Sequence, residues 1–301
     1  MNKFENFSNP RRTTTKRLSI LTLTVLGTLC GTSQVWAASI LGTAGDFAVL
    51  AGAGVTNIPT STVAGNVGVW SSGSANAVTG FNISPGVAVS DPQVTGGLVH
   101  AGTAVAQAAQ AQLTNAITSL GLMGTGTLLG VDLSGLTLIP GVYTVPAGTT
   151  NLSGTVTLDG EGNANAAWVF LMDSSLITSP SSVVNLINTG LGAGIFWDVR
   201  SSATLDTGTS FQGNILALTS ITLNTGATIG CGSALASTGA VTMDMNTIGS
   251  GCNGGLTISE SGGIPTFLPV TTAVPLPAAL PLLGAGFAGL VGLGLRRRSQ
   301  A

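Results

Sequence analysis

The feature that most restricts how this chain can fold is a repeat in its second half. Thr204-Leu205-Asp206-Thr207-Gly208-Thr209-Ser210-Phe211 returns as Thr222-Leu223-Asn224-Thr225-Gly226-Ala227-Thr228-Ile229, and more loosely as Thr242-Met243-Asp244-Met245-Asn246-Thr247-Ile248. The leading Thr recurs after 18 and then 20 residues. A period near twenty built from β-branched residues and turn formers is too short for a helix pair, and it predicts a parallel β-solenoid in which each coil stacks on the last. Side chains alternate across a strand, so Leu205, Leu223 and Met243 point inward and Thr204, Thr222 and Thr242 face out. Stacked strands lie ~4.8 Å apart, so equivalent Thr side chains form a regular ladder.

Most of the remaining chain has the same strand and turn composition. One segment reads as an amphipathic helix over about 91–120: Asp91-Pro92 supplies a start, and Val94, Leu98, Ala101, Val105 and Ala108 form its apolar stripe. His100 lies beside that stripe, and Gln107, Gln110 and Gln112 fall off it. The expected fold is therefore all-β with one long helix, in a domain spanning 38–258 and followed by a linker at 259–273.

The two ends read as targeting segments. In 1–37, Arg11, Arg12, Lys16 and Arg17 precede an apolar run from Leu18 to Leu29 and then Val35-Trp36-Ala37, the pattern of a secretory signal cleaved after Ala37. Arg11-Arg12 also permits a twin-arginine reading, although Thr14 and Thr15 stand where apolar residues are usual. At the other end, Ala278 to Leu295 is uncharged and is followed by Arg296, Arg297 and Arg298. At ~1.5 Å per residue this stretch is just long enough to span a membrane, with the basic cluster cytoplasmic and the domain on the far side. Val274-Pro275-Leu276-Pro277-Ala278 resembles the VPLPA variant of the PEP-CTERM sorting tail. That resemblance implies an exosortase-type partner, a Gram-negative bacterium, and a protein at the cell surface or released from it; the alternative is a plain membrane anchor.

Between 38 and 273 there is one Arg, Arg200, against ten acids and no Lys, a formal charge of −9. Such a domain repels phosphate backbones, which excludes nucleic acid as a partner. Cys231 and Cys252 are the two Cys left after signal removal, and in an oxidising compartment they are expected to form a structural disulfide worth ~3 kcal/mol.

Little in the sequence suggests catalysis. The bases are His100 and Arg200, and Asp198 and Asp206 beside Arg200 are the acids a hydrolase could use, but turn formation or a local ion pair explains them as well. With one His and two Cys no metal cluster is expected, and Asp159-Gly160-Glu161-Gly162-Asn163 reads as a turn rather than a Ca²⁺ loop. Gly124-Thr125-Gly126 lacks the later Gly-Lys of a phosphate loop. No cofactor is expected, and the chain does not read as an enzyme.

What remains is the Thr surface. A Thr side chain offers a methyl group together with a hydroxyl that both donates and accepts, and its χ1 is stiff. Repeated at ~4.8 Å between coils and ~7 Å along a strand, such groups can order water on spacings near those of ice. Thr204, Thr207, Thr209, Thr222, Thr225, Thr228, Thr242 and Thr247 are the candidate contacts.

Several segments resemble, in order, those of the bacterial and fungal ice-binding protein family. They are Leu41-Gly42-Thr43-Ala44 leading to Phe47-Ala48-Val49-Leu50-Ala51, Val78-Thr79-Gly80-Phe81, Val94-Thr95-Gly96-Gly97, Pro140-Gly141-Val142-Tyr143, Ala167-Trp168-Val169-Phe170 and Gly213-Asn214-Ile215-Leu216-Ala217. The resemblance implies a right-handed, discontinuous β-helix of triangular section, with the N-terminal coil separated in sequence from the rest and the helix packed alongside. It also implies adsorption to ice, since Thr225-Gly226-Ala227-Thr228 fits the Thr-Ala/Gly-x-Thr pattern of the family's ice faces. Ile229-Gly230-Cys231-Gly232 departs from the family's usual Asn-Gly-Arg at that point. The competing reading is an adhesive or structural surface module without ice activity.

Overall fold

The computed structural model describes residues 39–58, 60–72, 76–258 and 264–268. Among them, three parallel sheets of nine, six and eight strands account for nearly all the β-structure. Each coil of the repeat gives one strand to each sheet. Gly194–Val199, Asn214–Ala217 and Ala234–Ala236 lie in sheet 1, Ala203–Leu205, Ile221–Leu223 and Val241–Met243 in sheet 2, and Ser210–Phe211, Thr228–Ile229 and Thr247–Ile248 in sheet 3. This is a β-helical arrangement, and its pairing is in register: Leu205 lies beside Leu223 and Leu223 beside Met243, all buried.

The inward residues form one continuous core. Phe170 and Trp197 stack face to face at 3.9 Å on adjacent strands, with Tyr143 and Phe211 continuing the stack on either side. Buried indole nitrogens need acceptors, and they find them on the backbone, Trp168 on Leu138 O in a strand of sheet 3 and Trp197 on Gln212 O in a coil turn.

Coil order does not follow chain order. In sheet 1, Phe47–Ala51 lies between Asn66–Val69 and Ala234–Ala236, so the last coil of the repeat stacks on the first coil of the domain. All three sheets continue across this seam, through Val49 beside Ala234, Thr56 beside Thr242 and Thr62 beside Thr247. The helix makes that order possible. It spans Ala104–Gly121, about 27 Å at ~1.5 Å per residue, and the chain leaves sheet 1 at one edge strand, Val99–Ala101, and re-enters at the other, Thr127–Leu128.

The helix begins later than its sequence suggests. Asp91 does not cap it; its carboxylate accepts from Asn82 N and Gln93 N in a loop. Val94–Thr95 and Val99–Ala101 are strands, and Gly96 and Gly102 adopt φ of +68°, which no α-helix admits. The N-cap is Thr103, whose Oγ1 accepts from Ala106 N. The buried stripe is Ala106, Ala109, Gln110, Leu113, Ala116, Ile117 and Leu120, while Val105 is exposed. Gln110, placed off the stripe by sequence, is buried and donates to Ala236 O. His100 belongs to an edge strand of sheet 1, buried against Phe47, where desolvation lowers its pKa.

The helix and the Gly42–Asp46 turn cover the outer side of sheet 1, so this sheet is buried on both faces: Ile215 and Ala217 point into the coil, while Leu216 points beneath the helix. Beyond the last coil, Leu256–Thr257 and Thr266–Phe267 form a short antiparallel pair, so part of the expected linker returns to the domain. Cys231 is bonded to Cys252. This ties a coil turn to the 250–254 segment, where Cys252 O accepts from Ile195 N and Asn214 Nδ2. The signal at 1–37, the sorting motif Val274 to Ala278 and the span 278–295 lie outside the described residues.

The seam rests on Asn246. It is buried, donates from Nδ2 to Asn224 O and Ala227 O, accepts at Oδ1 from Asp244 N, and donates its backbone N–H to Ser61 Oγ. Asn246→Ala removes three side-chain hydrogen bonds and leaves the buried Ala227 O without that donor and Asp244 N without that acceptor, while Asn224 O keeps Ala227 N. It should lower unfolding free energy by about 3 kcal/mol, read from denaturant melts. Replacing both Cys231 and Cys252 by Ser should cost a similar amount in the same assay.

Candidate functional site: two threonine faces

The eight candidate Thr residues do not share one surface. Thr204, Thr222 and Thr242 point outward from sheet 2, side by side in adjacent strands. The ladder extends across the seam to Thr56 and then Thr79, which sequence reasoning missed. The signal for them was faint, because Gly54-Val55-Thr56-Asn57 and Ala77-Val78-Thr79-Gly80 keep only the alternation of the repeat and not its letters.

Thr228 and Thr247 belong to sheet 3. They are neighbours in a column that runs Thr62, Thr247, Thr228, Ser210, Val183, Thr155 over six coils. Thr157, Asn185 and Thr137 add outward positions at the far end, where strands are longer.

Thr207 and Thr225 sit in the turns that join sheet 2 to sheet 3. Both are exposed; the glycines that follow them, Gly208 and Gly226, stand level with Ser181 and Met245, all four at positive φ, and Asp244 is level with Thr225. The turns stack through backbone bonds, Ser181 N to Thr207 O, Gly208 N to Thr225 O and Gly226 N to Asp244 O. Polar side chains brace the stack: Asn224 Nδ2 donates to Asp206 Oδ1, and Thr225 Oγ1 donates to the Asp244 carboxylate. Hydrogen bonds from Asn224 and from Thr207 N hold the Asp206 carboxyl below its ordinary pKa. This acid therefore stays charged at the edge of the turns.

Thr209 is a correction. It is fully buried, and its hydroxyl bonds Thr178 Oγ1 at 2.9 Å, so it cannot meet anything in solvent. Its coil carries one more residue than simple alternation from Thr207 allows for, and the turn returns Thr209 to the interior and brings Ser210 out beside Thr228.

The residues considered for catalysis are separated. Asp206 lies in the turn row just described, whereas Asp198 is on sheet 1, pointing beneath the helix beside Leu171 and Leu216. Asp198 is fully buried, and Arg200 Nη2 lies 3.1 Å from Oδ2. Burial pushes its pKa up to about 6, against the pull of the Arg200 guanidinium. Asp159 closes its own turn, accepting from Glu161 N and from Asn188 Nδ2, as expected of a turn former. A groove between the helix and the coil corners is lined by Arg200, Thr114, Ile117, Thr118, Leu122 and Leu218, and no carboxylate lines it.

The comparisons with known proteins agree on one family. Residues 49–249 match the family model described as ice-binding-like. The chain belongs to the ice-binding-like family. It is 44% identical over 215 residues to an ice-binding protein of Nostoc sp. (strain HG1), covering 71% of this chain and 75% of that one. It is 32% identical over 225 residues to an ice-binding protein of Flammulina populicola, covering 70% and 89%. Among solved structures, an ice-binding protein from an Antarctic biological consortium matches with a TM-score of 0.59 at 36% identity, over 70% of this chain and 91% of that one. An ice-binding protein from Arctic yeast matches at 0.62 and 25% identity, over 79% and 98%. These likenesses cover the coil stack and its helix, the elements that carry the Thr faces.

The buried acid gives a pH prediction independent of ligand. The Asp198 pKa is raised in the folded state from 3.8 to about 6, so the folded chain holds this proton more tightly than the unfolded chain. Its favourable contribution is complete below about pH 4 and is lost as pH rises through 6, a difference of about 3 kcal/mol. Asp198→Asn should raise stability at pH 7.5 by about 2 kcal/mol, allowing for the lost Arg200 contact, and leave it nearly unchanged at pH 4. Thermal melts at the two pH values check this.

Proposed function

We propose that this chain adsorbs to ice through the sheet 3 column and the turn row beside it, and thereby slows ice growth and recrystallisation. The observation that carries the proposal is the in-register column Thr62, Thr247, Thr228, Ser210, with the exposed turn residues Thr225 and Thr207 at equivalent positions of adjacent coils beside it. Thr228 and Thr225 fall in adjacent ranks of one coil, as the Thr-Gly-Ala-Thr spacing requires.

The chemistry follows from that array. Hydroxymethyl groups hold water without a strongly hydrated charge, and in-register strands space them at ~4.8 Å. The backbone of every coil is fixed by its neighbours, so little entropy is lost on docking, and many weak contacts sum to adsorption that does not reverse. Molecules fixed on the growing front force it to curve between them, which lowers the local freezing point. Two solved ice-binding proteins match this fold with TM-scores of 0.59 and 0.62, and the ice-binding protein of Nostoc sp. is 44% identical, which supports the reading.

The finer features of the reading belong with it. A right-handed winding fits the strong preference of parallel crossovers, and three sheets per coil give a triangular section. Export by the signal at 1–37 fits a disulfide between Cys231 and Cys252, which persists in oxidising compartments. The Val274 to Ala278 motif and the apolar stretch after it would then present the domain at the surface of a Gram-negative cell, through an exosortase-type partner and a membrane segment. The ligand is a solid surface, and the proposal requires neither catalysis nor a cofactor.

Purified full-length chain should inhibit ice recrystallisation, and Thr228→Tyr and Thr225→Tyr should each weaken that inhibition markedly. Thr228→Tyr is at a solvent-facing strand position and should change unfolding free energy by no more than about 0.5 kcal/mol, whereas Thr225→Tyr also removes the bond to the Asp244 carboxylate and should cost about 1 kcal/mol. Equal inhibition by all three proteins would remove sheet 3 from the mechanism. No inhibition by any of them would favour an adhesive surface module.

A further inference from the structure

We infer that sheet 2 is a second ice-adsorbing face, taking a differently oriented plane of the crystal from sheet 3; the inference rests on the ice reading above. Five outward Thr side chains stand side by side on five successive strands, Thr204, Thr222, Thr242, Thr56 and Thr79. At ~4.8 Å per strand they make an unbroken row about 19 Å long. The sheet 3 column is interrupted by Ser210 and Val183, so this row is the more regular of the two.

Duplication of a coil does not account for the row. Thr204 and Thr222 share a visible repeat, but Thr56 and Thr79 come from the N-terminal coils, whose local sequences differ, and they reach the row only because the seam places Thr56 beside Thr242. The inward positions on the same strands are Ala203, Ile221, Val241, Val55 and Val78, while the outward position is Thr on five of the sheet's six strands, Ile177 standing beside Thr204 on the sixth. β propensity favours Thr at a solvent-facing strand position, but it favours Val, Ile and Tyr as well, and none of these stands among the five. Uniform Thr in register, drawn from unrelated segments, points to a requirement for the methyl and hydroxyl together.

The row is also held rigidly at both borders. On one side Ser202 Oγ and Thr219 Oγ1 are 2.6 Å apart, and Ser220 Oγ accepts from Ala240 N. On the other, Asn224 Nδ2 donates to Asp206 and Thr225 Oγ1 to Asp244. These bonds fix the spacing between coils, and the acids among them sit at the turn rather than among the five Thr. Sheet 1, by contrast, is closed to any surface by the helix. Two open faces meeting along one stiff row of turns let a single molecule engage two orientations of the same crystal.

The test is adsorption of fluorescently labelled full-length chain to a single-crystal ice hemisphere, which reads out the planes decorated. Wild type should decorate two sets of orientations. Thr222→Tyr combined with Thr242→Tyr should lose one set and keep the other, and Thr228→Tyr combined with Thr247→Tyr should do the reverse. Circular dichroism and melting temperature monitor folding, and Thr222→Val with Thr242→Val, which keeps the methyl groups and shape but removes the hydroxyls, serves if the Tyr pair destabilises the coil. The inference is overturned if the sheet 2 variants decorate the same orientations as wild type, or if the sheet 3 variant alone abolishes all decoration; the ice reading survives either result. Failure of wild type to decorate any plane would defeat both.

Discussion

Parallel backbone hydrogen bonding between successive coils is the constraint on which everything else in this protein depends. It fixes the interval between coils, and an in-register strand pair leaves no choice about which side chains become neighbours. Leu223 between Leu205 and Met243 inside the coil, and Thr222 between Thr204 and Thr242 outside it, are two consequences of the same pairing. A one-residue slip would exchange them. It would bury a row of hydroxyls and expose a row of aliphatic groups, so the core enforces the regularity of the surface.

A stack of coils has two ends and several faces, and each open face exposes whatever its outward residues carry. Here the helix Ala104–Gly121 covers sheet 1 and delivers the chain to the opposite end of the stack. The final coil then closes on the first, through Asn246, Ser61 and the strand pairs around Thr56 and Thr62. Covering one sheet brings a cost at Asp198, a carboxylate sealed beneath the helix with Arg200 at its side. The remaining two sheets stay open, and both carry Thr.

That division explains why the domain suits a flat ligand better than a soluble one. Asp206, Asp244 and Asp159 sit in turns and Asp198 is buried, and the groove between helix and coils is lined by no carboxylate that could act on a bound molecule. The surfaces that remain extensive and regular are rows of small hydroxyl-bearing groups on a rigid frame. Such rows have little to offer a flexible ligand, but an ordered solid can match them position by position.

How much of this was legible in the sequence follows from how local each feature is. The recurrence of Thr-Leu-Asp as Thr-Leu-Asn after 18 residues and as Thr-Met-Asp after 20 more is local, so the parallel coils, the inward Leu205, Leu223 and Met243 and the outward Thr204, Thr222 and Thr242 could be read from it, and the Cys231–Cys252 pair followed from compartment and count. The helix start was misread because Val94, Leu98 and Ala101 fit a helical stripe, while the glycines at 96 and 102 and the cap at Thr103 decide against one. Thr209 was assigned outward because a single extra turn residue reverses facing, and no repeat letter reports that reversal. Thr56 and Thr79 lay beyond reach, since their place in the ladder exists only once the seam joins the last coil to the first. The sequence by itself determined the coil and the side of each strand that faces water, because those depend on alternation over a few residues. Only the tertiary structure decided which coils are neighbours, which sheet the helix covers and so how many Thr stand in one row, because those depend on contacts between residues 185 positions apart or more.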